Sequence, residues 1–198
     1  MADSDLKPPR LAMPEAEAAW LREVYGRAQV ILEYGTGGST CVAADMPGKT
    51  IFSVESDRGW VAEMAAYFER HPPAATLHLH PVDIGPTGKW GAPSSDAGWR
   101  RYPDYPVSVW DRDDFLQPDT VLIDGRFRPA CLVTAMLRTK APMTILFDDY
   151  ANRPRYHLVE RWVPVAEQRG RMARFEVRPW ALPPQDLANI VALFGQPQ

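Results

Sequence analysis

Five segments of this sequence that read as strands each end on a carboxylate. Glu33 closes VILEYG (30–35), Glu55 with Ser56 closes TIFSVES (50–56), and Asp83 ends ATLHLHPVD (75–83). Asp124 ends DTVLIDG (119–125), and the pair Asp148 and Asp149 ends MTILFDDY (143–150). A carboxylate at the end of a buried strand is costly to desolvate unless something pairs with it, so acids gathered along one edge point to a site. The first strand runs into a bare turn, Gly35, Thr36, Gly37, Gly38 and Ser39, which lets a ligand lie against backbone. Twenty positions separate Gly35 from Glu55. At that offset the acid after the second strand of a nucleotide-binding βαβ unit holds ribose hydroxyls, which implies an adenosine-bearing cofactor. A dinucleotide fingerprint would need glycine where Thr40 stands and would set Glu33 against a pyrophosphate, so NAD or a nucleotide sugar is the weaker alternative.

The elements that must position these residues alternate. A lead-in helix spans 14–28, with Pro14 at its start and Ala18, Leu21, Val24 and Tyr25 at helical spacing. Further helices are expected over 38–46, 57–71, 129–140 and 155–168, between the five strands above. MARFEVRP (172–179) and LANIVALF (187–194) read as two closing strands, making seven. Strand and helix in repeated alternation predict an α/β, doubly wound, mostly parallel sheet with helices on both faces, binding its ligand at the carboxyl ends of the strands. The Leu/His alternation of the third strand predicts a half-exposed face there, which is the plain reading of His78 and His80. Residues 84–118 break the rhythm: they are too long for an ordinary connection, and Trp90, Trp99, Tyr102, Tyr105 and Trp110 mark them as ordered, standing over the ligand edge.

EYGTGG, followed twenty residues on by VESD, then an acid after the third strand and LIDG in the fourth, resembles the class I S-adenosylmethionine-dependent methyltransferases. The likeness runs from about the first strand to the last and departs at Ser39, where the usual pattern has its third glycine. It implies a Rossmann-like methyltransferase fold of seven strands with the last one antiparallel. It also implies that Glu33 and the Gly35–Gly37 backbone hold the methionine moiety, Glu55 the ribose, and Asp83 the adenine amino group. The remainder of the turn and Ser56 complete that cofactor set. Asp124, Gly125, Arg126 and Phe127 lack the two prolines found in enzymes of this class that methylate exocyclic base nitrogens. Asp124 with Asp148 and Asp149 looks instead like the metal site of cation-dependent O-methyltransferases of the catechol type, and three hard oxygen ligands suit Mg²⁺ or Mn²⁺. The expected catalytic residues are Asp124 and Asp148, and the expected reaction is O-methylation of a small-molecule acceptor. The other readings are a NAD- or nucleotide-sugar-binding protein, or a non-catalytic module with a degenerate site.

Composition agrees with one domain over 1–198. Of the 198 residues 45% are hydrophobic and 24% charged, enough for a proper core. A net charge of -3 with scattered Lys and Arg gives no reason to expect a nucleic-acid partner. Two cysteines, Cys41 and Cys131, both in expected helices, read as core thiols of a cytoplasmic protein. The first residues lack a leader's apolar stretch, and no eighteen apolar residues run together, so no membrane association is expected.

Overall fold

The structure is a computed structural model that describes residues 9–197, so the leader reading of the first eight residues lies outside the described residues. Seven strands form one sheet in the order β3-β2-β1-β4-β5-β7-β6. They are β1 (Val30–Tyr34), β2 (Thr50–Glu55), β3 (Thr76–Pro81), β4 (Thr120–Ile123), β5 (Met143–Phe147), β6 (Glu167–Arg169) and β7 (Met172–Val177). The first five run parallel, and β7 is antiparallel to both of its neighbours, β5 and β6. This is the mixed, mostly parallel sheet expected from the alternation.

Period-2 placement divides the core between two faces. Ile31, Ile51, Leu122 and Leu146 point to one face, where α1 (Glu15–Arg27) contributes Trp20, Leu21 and Tyr25 and α2 (Gly38–Ala44) contributes Ala43. Leu32, Val121, Ile123 and Phe147 point to the other, under α5 (Arg128–Arg138) and the short helices α4 (Asp104–Val107) and α6 (Leu187–Leu193). The central strands are thus buried on both sides, as parallel strands must be. The helix α3 (Arg58–Arg70) starts on Asp57, whose side chain accepts from the N–H groups of Gly59 and Trp60.

Three expectations need correcting. LANIVALF is not a strand: Leu187–Leu193 is helical, because Ile190 and Leu193 on one side meet the core while Leu187 and Val191 stay exposed. The sixth strand is Glu167–Arg169, in and just past the stretch assigned to a helix. The helical part of that stretch, Pro154–Arg161, winds as a 3₁₀-helix after the proline at its start. The long segment 84–118, expected as an ordered loop, holds four short helical turns, and Tyr102, Tyr105, Val109 and Trp110 bury themselves in the core. His78 and His80 lie under this segment: His78 stacks on Phe52 at 4.7 Å, and His80 Nε2 is 2.9 Å from Ser108 Oγ. Among the described residues no helix is long and apolar enough to cross a membrane.

Candidate active site

The carboxyl ends of β1 and β4 turn against each other through Gly35 and Gly125. Gly35 has φ +104, and a Cβ there would stand 2.9 Å from the Gly125 nitrogen; one on Gly125 would stand 2.8 Å from the Gly35 nitrogen. Only glycine permits this approach. Beneath the turn, Glu33 is wholly buried and accepts from Tyr25 Oη at 2.7 Å, Thr40 Oγ1 at 2.6 Å and Ser53 Oγ at 3.2 Å. Burial raises its carboxyl pKa, and the hydrogen bonds from Thr40, Tyr25, Ser39 and Ser53 oppose the rise. Thr40 Oγ1 also accepts from the Gly37 N–H at 2.9 Å. One hydroxyl therefore ties the glycine turn to Glu33.

Glu55 stands across from this turn. Its Oε1 accepts from the N–H groups of Ser56 and Asp57 at 2.7 and 2.9 Å, and its Oε2 from that of Thr36 at 3.3 Å. Burial nevertheless raises its pKa. The Trp60 indole donates to Thr36 O at 2.7 Å and fixes the turn from the α3 side. The 84–118 segment reaches over to meet this acid: Gly91, at φ +68, sits so close that a Cβ would lie 2.8 Å from Glu55 Oε1, and its carbonyl accepts from Ser56 Oγ at 2.9 Å. Trp90 beside it is 75% exposed and lines the same cleft.

The far end of the cleft carries an ion cluster. Asp148 is fully buried, and Arg171 donates to both its oxygens, Nε to Oδ1 at 3.0 Å and Nη2 to Oδ2 at 2.7 Å. Asp149 pairs with Arg153 at 2.7 Å, Arg171 at 3.2 Å and Arg128 at 3.4 Å, and Asp124 pairs with Arg128 at 3.1 Å. Burial pushes the Asp124 carboxyl up to about 7, opposed by Arg128 and reinforced by Asp148 and Asp149. Its side chain keeps 35% of its surface exposed and lines the cleft. The cleft encloses about 560 Å³, the scale of a cofactor site. Its wall runs from residues 9–12 past the glycine turn and Glu55 to Asp124, Gly125 and the arginines.

The comparison with known structures decides the family. A methyltransferase-like protein from Silicibacter pomeroyi DSS-3 superimposes with TM-score 0.92 at 48% identity, over 96% of this chain and 99% of that one. The chain belongs to the class I S-adenosylmethionine-dependent methyltransferase-like family. More distant members share the fold. One is the O-methyltransferase TomG from Streptomyces achromogenes, involved in tomaymycin synthesis and solved with S-adenosylmethionine, with TM-score 0.56, 16% identity and 81% of each chain covered. Another is an O-methyltransferase from Bacillus cereus solved with S-adenosylhomocysteine, with TM-score 0.57, 15% identity, and 84% of this chain and 82% of that one covered. No protein-family model and no curated protein matches the sequence.

Within this methyltransferase the expected cofactor residues divide. Gly35, Thr36, Gly37, Gly38, Ser39 and Glu55 line the cleft. Glu33 does not: it lies beneath the turn it was expected to work beside, so it organises backbone rather than touching a ligand. For the same reason it would never meet a pyrophosphate, and Thr40 alone stands against the dinucleotide reading. Ser56 is also turned away, spent on the Gly91 carbonyl. Asp83 lies off the cleft, paired with Arg58 at 2.8 Å and Arg101 at 2.5 Å; the Gly85 N–H and then those arginines hold its pKa below the usual range. Its charge is thus committed elsewhere.

The expected metal ligands lie together, but arginines compete for them. One oxygen from each of Asp124, Asp148 and Asp149 does lie within 4.8 Å of the others. Arg128, Arg153 and Arg171 already pair with the three carboxylates, so a dication would compete with guanidiniums for them. Asp148, sealed and doubly bonded, is removed from the catalytic pair on the same ground. Chelation with EDTA, or addition of Mg²⁺ or Mn²⁺, is therefore expected to leave the melting temperature within about 1 °C of the untreated protein, since a ligand of the folded state alone would raise it. A metal-dependent rise of several degrees that Asp149→Ala abolishes would restore the metal.

Sequence reasoning missed Trp60, Gly91 and Arg171. The signal of Arg171 is weak, because it reaches the site from beyond β5, where no motif marks it. Among the described residues the non-glycine positions with positive φ, Trp90, Phe127 and Asp149, all stand in or beside the cleft, where local strain is commonly stored.

Proposed function

We propose that this protein transfers the methyl group of S-adenosylmethionine to an oxygen of a small-molecule acceptor without a metal, using Asp124 as general base. The observation that carries the cofactor reading is Glu55. Its Oε1 is filled by the N–H groups of Ser56 and Asp57, but Oε2 accepts only the Thr36 N–H and keeps a second lone-pair site, and the group lines the cleft opposite the glycine turn where a ribose hydroxyl would donate. The bare backbone at Gly37, where a Cβ would meet nothing within 4 Å, leaves room for the amino-acid tail, and Trp90 offers an exposed ring to an adenine. When bound, S-adenosylmethionine supplies an electrophilic methyl group, and its transfer leaves the neutral thioether of S-adenosylhomocysteine.

Asp124 has the properties the proton step needs. It lines the cleft while Asp148 is sealed, and its pKa of about 7 suits a base near neutrality. It would accept the acceptor hydroxyl's proton as the oxygen–methyl bond forms, with Arg128 at 3.1 Å fixing the carboxylate. The unpaired thiols Cys41 and Cys131 support a reducing, cytoplasmic setting.

Calorimetric titration with S-adenosylhomocysteine, S-adenosylmethionine, NAD and a nucleotide sugar tests the cofactor assignment. Glu55→Ala is expected to weaken S-adenosylhomocysteine binding by about 1.5–3 kcal/mol, the scale of a hydrogen bond to a charged group. Unchanged affinity in a folded variant would remove Glu55 from the site, and preference for NAD would remove the methyltransferase reading.

A further inference from the structure

On the wall of the cleft beside Asp124, Arg126 is a cation for which no carboxylate partner is found among the described residues. Arg128, Arg153 and Arg171 are each paired with Asp124, Asp148 or Asp149, so the acids on this side are fully committed. Arg126 lines the same wall, two residues past Asp124, and its Nε is buried with no hydrogen-bond partner. No ion pair to Arg126 is found among the described residues, and leaving a charged donor buried and unsatisfied is costly. Its backbone is fixed from both sides. The N–H donates to Tyr105 Oη at 3.3 Å, the carbonyl accepts from Cys131 Sγ at 3.3 Å, and the next residue, Phe127, is locked at φ 51. The residue is thus anchored by its main chain while its side chain lacks a counter-charge. Burial, then the neighbouring positive charge of Arg128, lowers its pKa, so an arriving anion would relieve a real electrostatic deficit.

We propose that the methyl acceptor is a small hydroxy acid whose carboxylate is held by the Arg126 guanidinium while its hydroxyl is presented to Asp124. This rests on the methyltransferase reading above and names the substrate class of that site. A planar guanidinium with free donors matches a carboxylate by paired hydrogen bonds. Phosphate shares that chemistry, but Arg128, Arg153 and Arg171 are committed to the acids on this wall, so beside Asp124 Arg126 alone would meet it, which suits a single negative charge. The cleft must hold the cofactor as well, and its volume of about 560 Å³ leaves space for a small skeleton only.

The test uses the full chain saturated with S-adenosylhomocysteine and titrated with acids and their neutral amides: 3-hydroxybenzoate against 3-hydroxybenzamide, lactate against lactamide, with inorganic phosphate as a separate arm. At least one acid is expected to bind tenfold or more tightly than its amide. Arg126→Gln should erase that preference while leaving S-adenosylhomocysteine affinity within twofold, and Arg126→Lys should retain part of it. No preference for any acid, a preference that survives Arg126→Gln, or phosphate binding more tightly than every acid would each overturn the proposal. Should Arg126→Gln not fold, loss of bidentate geometry in Arg126→Lys is read instead, as at least a threefold loss of acid affinity with amide affinity unchanged; no loss overturns the proposal. Failure of S-adenosylhomocysteine to bind the unmodified protein would overturn the methyltransferase reading itself. Binding of the cofactor product without an acid preference would overturn only the assignment of Arg126.

Discussion

Arg171→Met is expected to destabilise the protein by about 3 kcal/mol, measured by denaturant unfolding at neutral pH. Asp148 is wholly enclosed, and Arg171 supplies both of its side-chain partners. Removing one member of a buried pair leaves the other as an uncompensated charge, which costs roughly 3–5 kcal/mol. The lower end applies because the Arg171 side chain retains 30% exposure and water can approach its place. Arg171 also donates to the Ala12 carbonyl at 3.2 Å and, through its backbone N–H, to Glu17 at 2.8 Å, so only the side-chain bonds are lost. The double variant Arg171→Met with Asp148→Leu should recover much of the loss, because it removes the stranded charge. A single-variant cost below about 1 kcal/mol would show that the cluster does not depend on this pair.

Asp124→Asn should lower turnover by about 10²–10⁴-fold, the usual contribution of a positioned general base, while cofactor affinity stays unchanged. The variant's stability should change in the opposite direction. The folded-state pKa of about 7 lies above the ordinary 3.8, so the folded protein holds a proton that the unfolded chain releases. Stability from this group is fully present below pH 3.8 and is lost as pH rises through 7. Replacement by Asn is therefore expected to be nearly neutral at pH 4 and to raise the melting temperature at pH 8. Wild-type activity should fall as pH drops below about 7, where Asp124 becomes protonated. A variant that keeps its turnover, or whose melting temperature falls at pH 8, would deny Asp124 this role.

The sheet was legible because its information is local. Runs such as VILEY and TVLI are apolar on both faces and end at an acid and a glycine, which fixes strand, direction and edge together. LANIVALF misled because an apolar run of eight residues has no period that separates strand from helix; its partners, α5 and the core beside it, made the choice. The glycine turn and Glu55 were readable from spacing alone. Whether an acid faces a ligand or lies beneath it was not, since that depends on partners far apart in the chain. Tyr25, Thr40 and Ser53 converge on Glu33, and Arg171 reaches Asp148 across 23 positions. Three acids within reach of one another resemble a metal site until the arginines are placed in space.

The contact between Gly35 and Gly125 also restricts how such a protein can diverge. Each turn occupies the volume a side chain on the other would need, so a substitution at either position is blocked whatever residue stands opposite. A change at one cannot be rescued by a compensating change at the other, because glycine is already the smallest residue. The cofactor side and the acceptor side of the cleft are thereby locked in register, and drift toward new acceptors is channelled into residues 84–118 and the side chains of the wall.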